Sequence, residues 1–337
     1  MERKQPRDLR KWLFPLVLGL GVVLLIYLGW RSNFGPQQYL QLIVDGLRGG
    51  TIYALIALGF VTVFTVTGII NFAQGAFVML GAMLAITIYD SALPIPPALK
   101  LGLSVIGAVL GTTIIGLAIE RATIYPARHS SPLTQIIITV GTYIAVQGLA
   151  LIGWGATPYA LPAFTTLEIS DKTLRIAGVV IKAQSFWIWG TTALVLIGLA
   201  FFFERTLVGK ALRACSVNRR GAQLMGISVS RMSLLAFGMA AALGALGGTV
   251  VAPTTRPTYD MGLVLGLKGF VAAIMGGLIS PTGAVIGGLL LGILENLAAG
   301  VTKAGLKDIF AFLLLIIVLL YRPEGITRTR KRTVEGS

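Results

Sequence analysis

Charge is what this sequence has least of. Asp, Glu, Lys and Arg make up only 12% of its 337 residues, about half the share of a soluble domain, which is too little to coat a water-facing globule of this size. An ordinary cytosolic enzyme is excluded. Cysteine is almost absent: Cys215 stands alone, so there is no internal disulfide and no thiolate metal site. Histidine is as scarce, and His129, beside Ser130 and Ser131, has no second His or Cys near it to form a ligand set. The catalytic signatures are missing as well. No G-x-x-x-x-G-K-[ST] phosphate loop occurs; the nearest fragment, Gly209-Lys210-Ala211, lacks the hydroxyl and the first glycine at its required spacing, so the chain does not hydrolyse ATP. HExxH, CxxC and GxSxG are absent too, which leaves an intramembrane protease or a redox enzyme without its chemistry. No catalytic, cofactor-binding or metal residue is assigned.

What the sequence has in abundance is apolar length. Hydrophobic residues make up 55% of the chain and the mean hydropathy is +0.84. Runs of about 20 apolar residues, the length of a bilayer crossing, predict ten spans: 12–30, 38–62, 67–89, 98–119, 133–153, 185–203, 233–252, 263–280, 282–300 and 308–321. The fold class expected is an all-α polytopic transmembrane bundle. Residues 1–30 look like a signal peptide, but the apolar run from Trp12 to Trp30 is too long and Gly29-Trp30-Arg31-Ser32-Asn33 offers no small-x-small cleavage site, so an uncleaved first span is expected.

The net charge of +15 follows topology rather than nucleic acid. Eighteen of the 28 basic residues collect in four places: the two tails, the break at Arg121 and Arg128, and the stretch from Arg205 to Arg231. Ten spans place all four on one side, which the positive-inside rule makes the cytoplasm. The layout expected is a basic cytoplasmic tail at 1–11, a transmembrane domain at 12–321 and a second basic cytoplasmic tail at 322–337. The same polybasic ends attract anionic membrane lipid. The longest outer loop, 154–184, has room for a short hairpin or an interfacial helix, but not for a soluble receptor domain; selective capture of a dilute solute then falls to another protein.

Within the spans, glycines recur four residues apart: Gly107 and Gly111, Gly244 and Gly248, Gly262 and Gly266, Gly283 and Gly287, Gly288 and Gly292. Each pair opens a flat stripe for close helix packing, and the run from 244 to 292 suggests helices that tilt during a cycle. Buried charge is rare, against the habit of ion-coupled carriers. Lys268 and Glu295 are the clear cases, as a structural pair, snorkelling groups, or groups with a role in solute passage or proton coupling. The segment 38–90 is irregular, with Thr65 and Thr67 running into Asn71-Phe72-Ala73-Gln74-Gly75, and a broken or re-entrant helix is expected there. Tyr53, Thr65, Thr67, Asn71, Gln74, Lys268 and Glu295 are the candidate path residues.

The 204–232 loop reads as a partner-docking element. Ser216 caps a short helix, Leu224, Met225 and Ile227 offer apolar knobs, and Gly226 stops it; the alternative is an ordinary loop held by headgroups.

Three stretches carry a family likeness: Gly50 to Gly59 followed by Gly68 to Gly75; Arg213-Ala214-Cys215-Ser216 with Ala222 and Gly226; and Gly266 to Gly277 through Gly283 to Glu295. The chain resembles the permease subunits of ABC importers for branched-chain and other hydrophobic amino acids, the LivH-like type. At the coupling element Arg220 and Gly221 stand where the family pattern has an acidic residue and its first alanine, while Ala222 and Gly226 match. The resemblance implies coupling through Ser216, Arg220, Gly221, Ala222, Leu224, Met225, Gly226 and Ile227. It also implies a second related permease subunit, two cytoplasmic ATP-binding subunits that carry ATP and Mg, and an extracytoplasmic substrate-binding protein, all at a bacterial inner membrane. The rival expectations are an ion-coupled carrier or channel for small solutes such as urea or amides, and a structural scaffold.

Overall fold

A computed structural model of the chain describes residues 19–21, 23–92, 94–165, 174–176, 178–322 and 325–326. The basic tails at 1–11 and 327–337 lie outside the described residues, as does the first part of the predicted span 12–30. The protein is a helical bundle. Its helices are α1 (Gly19–Arg31), α2 (Pro36–Thr67), α3 (Gln74–Asp90), α4 (Pro97–Ile119), α5 (Pro132–Trp154), α6 (Ala183–Arg205), α7 (Leu207–Val217), α8 (Arg219–Leu224), α9 (Val229–Thr255), α10 (Met261–Gly276), α11 (Pro281–Val301) and α12 (Lys307–Tyr321). Where the predicted runs are described they fall largely on helices, but among the described residues only six helices, α2, α4, α5, α6, α9 and α11, have by themselves the length and apolarity of a crossing. It is a multi-pass membrane protein.

Helix ends follow local chemistry. At the end of the bundle flanked by the basic stretches, Ser131, Thr206, Asn218, Ser228 and Ser280 each accept a hydrogen bond from an N–H in the first turn of α5, α7, α8, α9 and α11, satisfying donors that a helix start leaves open. Pro132 and Pro281 follow two of those caps at the position where a missing N–H costs nothing. Gly68 and Gly277 close α2 and α10 in the left-handed region, at φ +67° and +95°.

The bundle has an inner and an outer class of helix. In α2 and α9 most of the apolar length is buried by protein, whereas little of it is in α4, α5 and α6, whose outer faces are left to lipid or a partner subunit. Glycine sets the inner contacts. A Cβ on Gly50 would lie 2.7 Å from the Gly288 carbonyl, and one on Gly46 would lie 2.7 Å from the Ile293 Cα; no real Cβ sits that close, so α2 and α11 touch backbone to backbone.

Three boundaries differ from the sequence reading. The apolar run at 67–89 does not begin as helix: Gly68 turns the chain, 69–73 runs without helix, and α3 starts only at Gln74. The run at 263–280 stops at Gly276 because Gly277 and Leu278 both take positive φ. The break at 121–132 is partly helical, since α4 continues as a π turn over Glu120–Ile124. The outer stretch 154–184 contains a two-stranded hairpin, β1 (Leu174–Ile176) against β2 (Val179–Ile181). Gln41 of α2 grips β2, accepting from the Val180 N–H at 2.8 Å and donating to its carbonyl at 3.1 Å.

Candidate functional site

The 204–232 stretch folds as two short helices rather than one. Along α7, Leu212 and Cys215 pack inward against Val66 of α2 and Ala236 of α9, while Leu207 and Val217 are left exposed. The cap of α8 is Asn218, not Ser216: the Asn218 Oδ1 accepts from the Gly221 N–H at 2.9 Å, and Ser216 sits within α7, donating its hydroxyl to the Arg213 carbonyl at 2.7 Å. An Asn two residues on competes for the same role and wins because its own backbone is extended, as a cap requires. On α8, Ala222 is buried and Arg220 exposed. The chain then doubles back, Ile227 donating its N–H to the Ala222 carbonyl at 3.0 Å across Gly226 at φ +81°. That turn directs Ile227 into the bundle and leaves Leu224 and Met225 89% and 83% exposed. Burial pushes the Cys215 thiol above its ordinary range, with the Arg219 charge pulling the other way.

A second group surrounds the break after α2. The Gln74 carboxamide lies against Gly59, eight residues back along α2, or about 12 Å at 1.5 Å per residue, so α3 starts well inside the bundle. Backbone outside a helix at that depth needs partners, and nearby side chains provide them. Thr139 of α5 accepts from the Phe72 N–H at 3.1 Å, Asn71 Oδ1 from the Ala73 N–H at 3.1 Å, and Thr67 Oγ1 from the Ile69 N–H at 3.3 Å. Gln74 donates Nε2 to the Ala240 carbonyl of α9 at 3.0 Å. This leaves Asn71 Nδ2 and Gln74 Oε1 buried without hydrogen-bond partners among the described residues. Thr65 and Thr67 return their hydroxyl protons to carbonyls of α2. Phe72 closes an aromatic cluster, its ring 6.4 Å from Phe60 and 5.1 Å from Phe270.

The remaining candidates form a third group. Lys268 Nζ lies 2.6 Å from Glu295 Oε1 and 2.7 Å from Asp308 Oδ1, and 5.6 Å from the centre of the Tyr53 ring. Tyr53, Lys268 and Glu295 are buried, and Lys307 approaches Glu295 at 3.9 Å. The sequence reading missed Asp308 and Lys307 because they open the last apolar run, where a charge reads as flanking polarity. Among the described residues, no hydrogen bond or ion pair joins this group to the one around Asn71 and Gln74. The seven path candidates thus fall into two places.

Comparison with known proteins gives this arrangement its relatives. Residues 42–319 match the family model described as branched-chain amino acid transport system / permease component. The chain is 35% identical over 294 residues to the high-affinity branched-chain amino acid transport system permease protein BraD of Pseudomonas aeruginosa, covering 86% of this chain and 95% of the relative. It is 33% identical over 293 residues to LivH of Salmonella typhimurium and 32% over 299 residues to LivH of Escherichia coli, with the same two coverages.

Proposed function

The chain belongs to the branched-chain amino acid transport permease family, and from that premise we propose that it is the translocation subunit of an ATP-driven importer for branched-chain or related hydrophobic amino acids. It holds no cofactor of its own; ATP and Mg reside on two partner ATP-binding subunits. A second related permease completes the path, and an extracytoplasmic binding protein delivers the solute. The basic end faces the cytoplasm of a bacterial inner membrane, with ten crossings and both termini inside.

One observation supports the coupling role above the others: Leu224 and Met225 stand almost fully exposed on the turn that ends α8. Each apolar side chain of this size gains about 1.5–3 kcal/mol on burial, so two adjacent ones held out by a left-handed glycine suit a partner's groove. Ala222 and Ile227, on the other side of the same turn, pack with Val66, and the Arg219 guanidinium lies against Gly68. A push on α8 therefore reaches the end of α2 and the break before α3, where Asn71 and Gln74 carry unpaired polar atoms. Alternating access follows if that break changes its hydrogen bonding as the ATPases close and open.

Proteoliposomes test this. The complete complex with its binding protein should accumulate leucine, isoleucine or valine on ATP addition, and the chain alone should accumulate none. Uphill uptake by the chain alone, with or without an ion gradient, would overturn the reading.

A further inference from the structure

A cavity of about 650 Å³ opens at the basic end, where α2, the π turn, α5, α8 and α9 meet, within the range of about 300–1,000 Å³ usual for small-ligand sites. Of the charged groups that line it, Glu120 is buried and makes no ion pair among the described residues, Arg219 is exposed, and Arg128 is engaged, 4.2 Å over the Tyr125 ring and donating to His129. Glu120 is 1% exposed; its Oε1 accepts from the Ser233 hydroxyl at 2.9 Å, and among the described residues its Oε2 has no hydrogen-bond partner. A buried carboxylate oxygen in that condition calls for a cation or a donor. Arg121, its sequence neighbour, is engaged 4.1 Å over the Tyr125 ring. On the other wall, Arg219 at the start of α8 rests its guanidinium against the Gly68 backbone, and among the described residues it makes no ion pair. The rest of the lining is mixed: Val66, Ile69, Ile124 and Val229 give it an apolar part, and Gln135, Gln223 and Ser230 a polar one.

A lone anion would answer only Arg219, and a lone cation only Glu120. A small zwitterion with an apolar side chain answers both and lays that side chain on the apolar part of the lining. We infer that this cavity is a cytoplasm-facing binding site for a free α-amino acid, whose ammonium is taken by Glu120 and whose carboxylate is taken by Arg219. The choice of leucine as its probe, and the side it faces, rest on the import reading above; the zwitterionic class rests on the cavity alone. Because Arg219 opens α8, an occupied cavity fastens the docking helix to the end of α4, and the bound amino acid opposes the movement that drives uptake.

The test is equilibrium binding to the permease–ATPase complex in nanodiscs with the binding protein omitted, so that ligand reaches the site only from solution. The probes are L-leucine, L-leucinamide, which lacks the carboxylate, and N-acetyl-L-leucine, which lacks the ammonium. In the wild type each analogue should bind at least tenfold more weakly than leucine. Glu120→Gln, which keeps the shape and the Ser233 contact, should weaken leucine at least tenfold while leaving N-acetyl-leucine unchanged. Arg219→Gln should weaken leucine equally while leaving leucinamide unchanged. Absence of leucine binding, or variants that bind it as the wild type does, would overturn the site. ATP-driven uptake by the wild-type complex is measured separately: uptake without binding removes the site and leaves the importer, and binding without uptake does the reverse.

Discussion

Lys268 of α10 donates to Glu295 of α11 at 2.6 Å in a part of the bundle where both side chains are buried. Asp308 holds the same ammonium at 2.7 Å, so one lysine ties three consecutive helices together. Removing it leaves two carboxylates facing an empty place. Lys268→Met should therefore cost about 3–5 kcal/mol, read as a lowered unfolding midpoint in detergent. The double variant Lys268→Met with Glu295→Leu should recover most of that loss, because the buried orphan is then gone and the carboxylate left without its lysine, Asp308, is half exposed to solvent. Equal midpoints for all three proteins would show that the cluster contributes nothing to stability.

The contact between α2 and α11 yields a steric prediction. A Cβ on Gly292 would strike the Gly50 backbone, whereas a Cβ on Gly102 would meet nothing within 4 Å. Gly292→Ala should destabilise by about 1–3 kcal/mol through overpacking. Gly102→Ala should be neutral or stabilise by up to about 1 kcal/mol through helix propensity. Thermal unfolding of the two variants side by side checks the pair.

Exposed apolar residues on α8 can be changed without touching the fold. Leu224→Glu together with Met225→Glu should leave the purified permease as stable as the wild type, since both side chains are already exposed, while lowering ATP-driven uptake at least tenfold. Undiminished uptake would remove α8 from the coupling path.

Cys215 offers a check on how α7 is seated. It is buried, and its thiol is held above the ordinary range by burial, so at pH 7 it carries less thiolate than an exposed cysteine and reacts more slowly. Maleimide should label Ser216→Cys, at the exposed neighbouring position, at least tenfold faster than it labels Cys215. The Cys215 rate should climb with rising pH and jump on unfolding. Similar rates at the two positions would mean that α7 is not packed on the bundle as described.

Much of the fold was legible because hydropathy and glycine spacing are local signals. The pairs Gly288/Gly292 and Gly262/Gly266 lie at close helix contacts, and the positive φ of Gly226 follows from its place after a short apolar turn. What stayed hidden depends on partners far along the chain. The break after Gly68 is expected from the polar run into Asn71 and Gln74, but not where it ends or what holds it: Ile69, Ile70 and Phe72 read as apolar span, and the Phe72 N–H is met by Thr139, sixty-seven residues away. Glu120 reads as the edge of a charged loop beside Arg121, and only the π turn together with Ser233 of α9 shows it to be buried. Lys268 and Glu295 were visible as rare buried charges, but their third partner, Asp308, was not.

The bare contact between α2 and α11 bears on how the protein is made. Synthesis runs from the N-terminus, so α2 leaves the ribosome long before α11, the helix whose backbone it will touch, exists. In that interval its partner is hydrocarbon, and an exposed glycine stripe facing lipid is tolerable where an exposed polar one would not be. The all-round apolarity of α2 from Ala54 to Val61, which looks excessive for a stretch that finishes sheathed in protein, is what lets it wait.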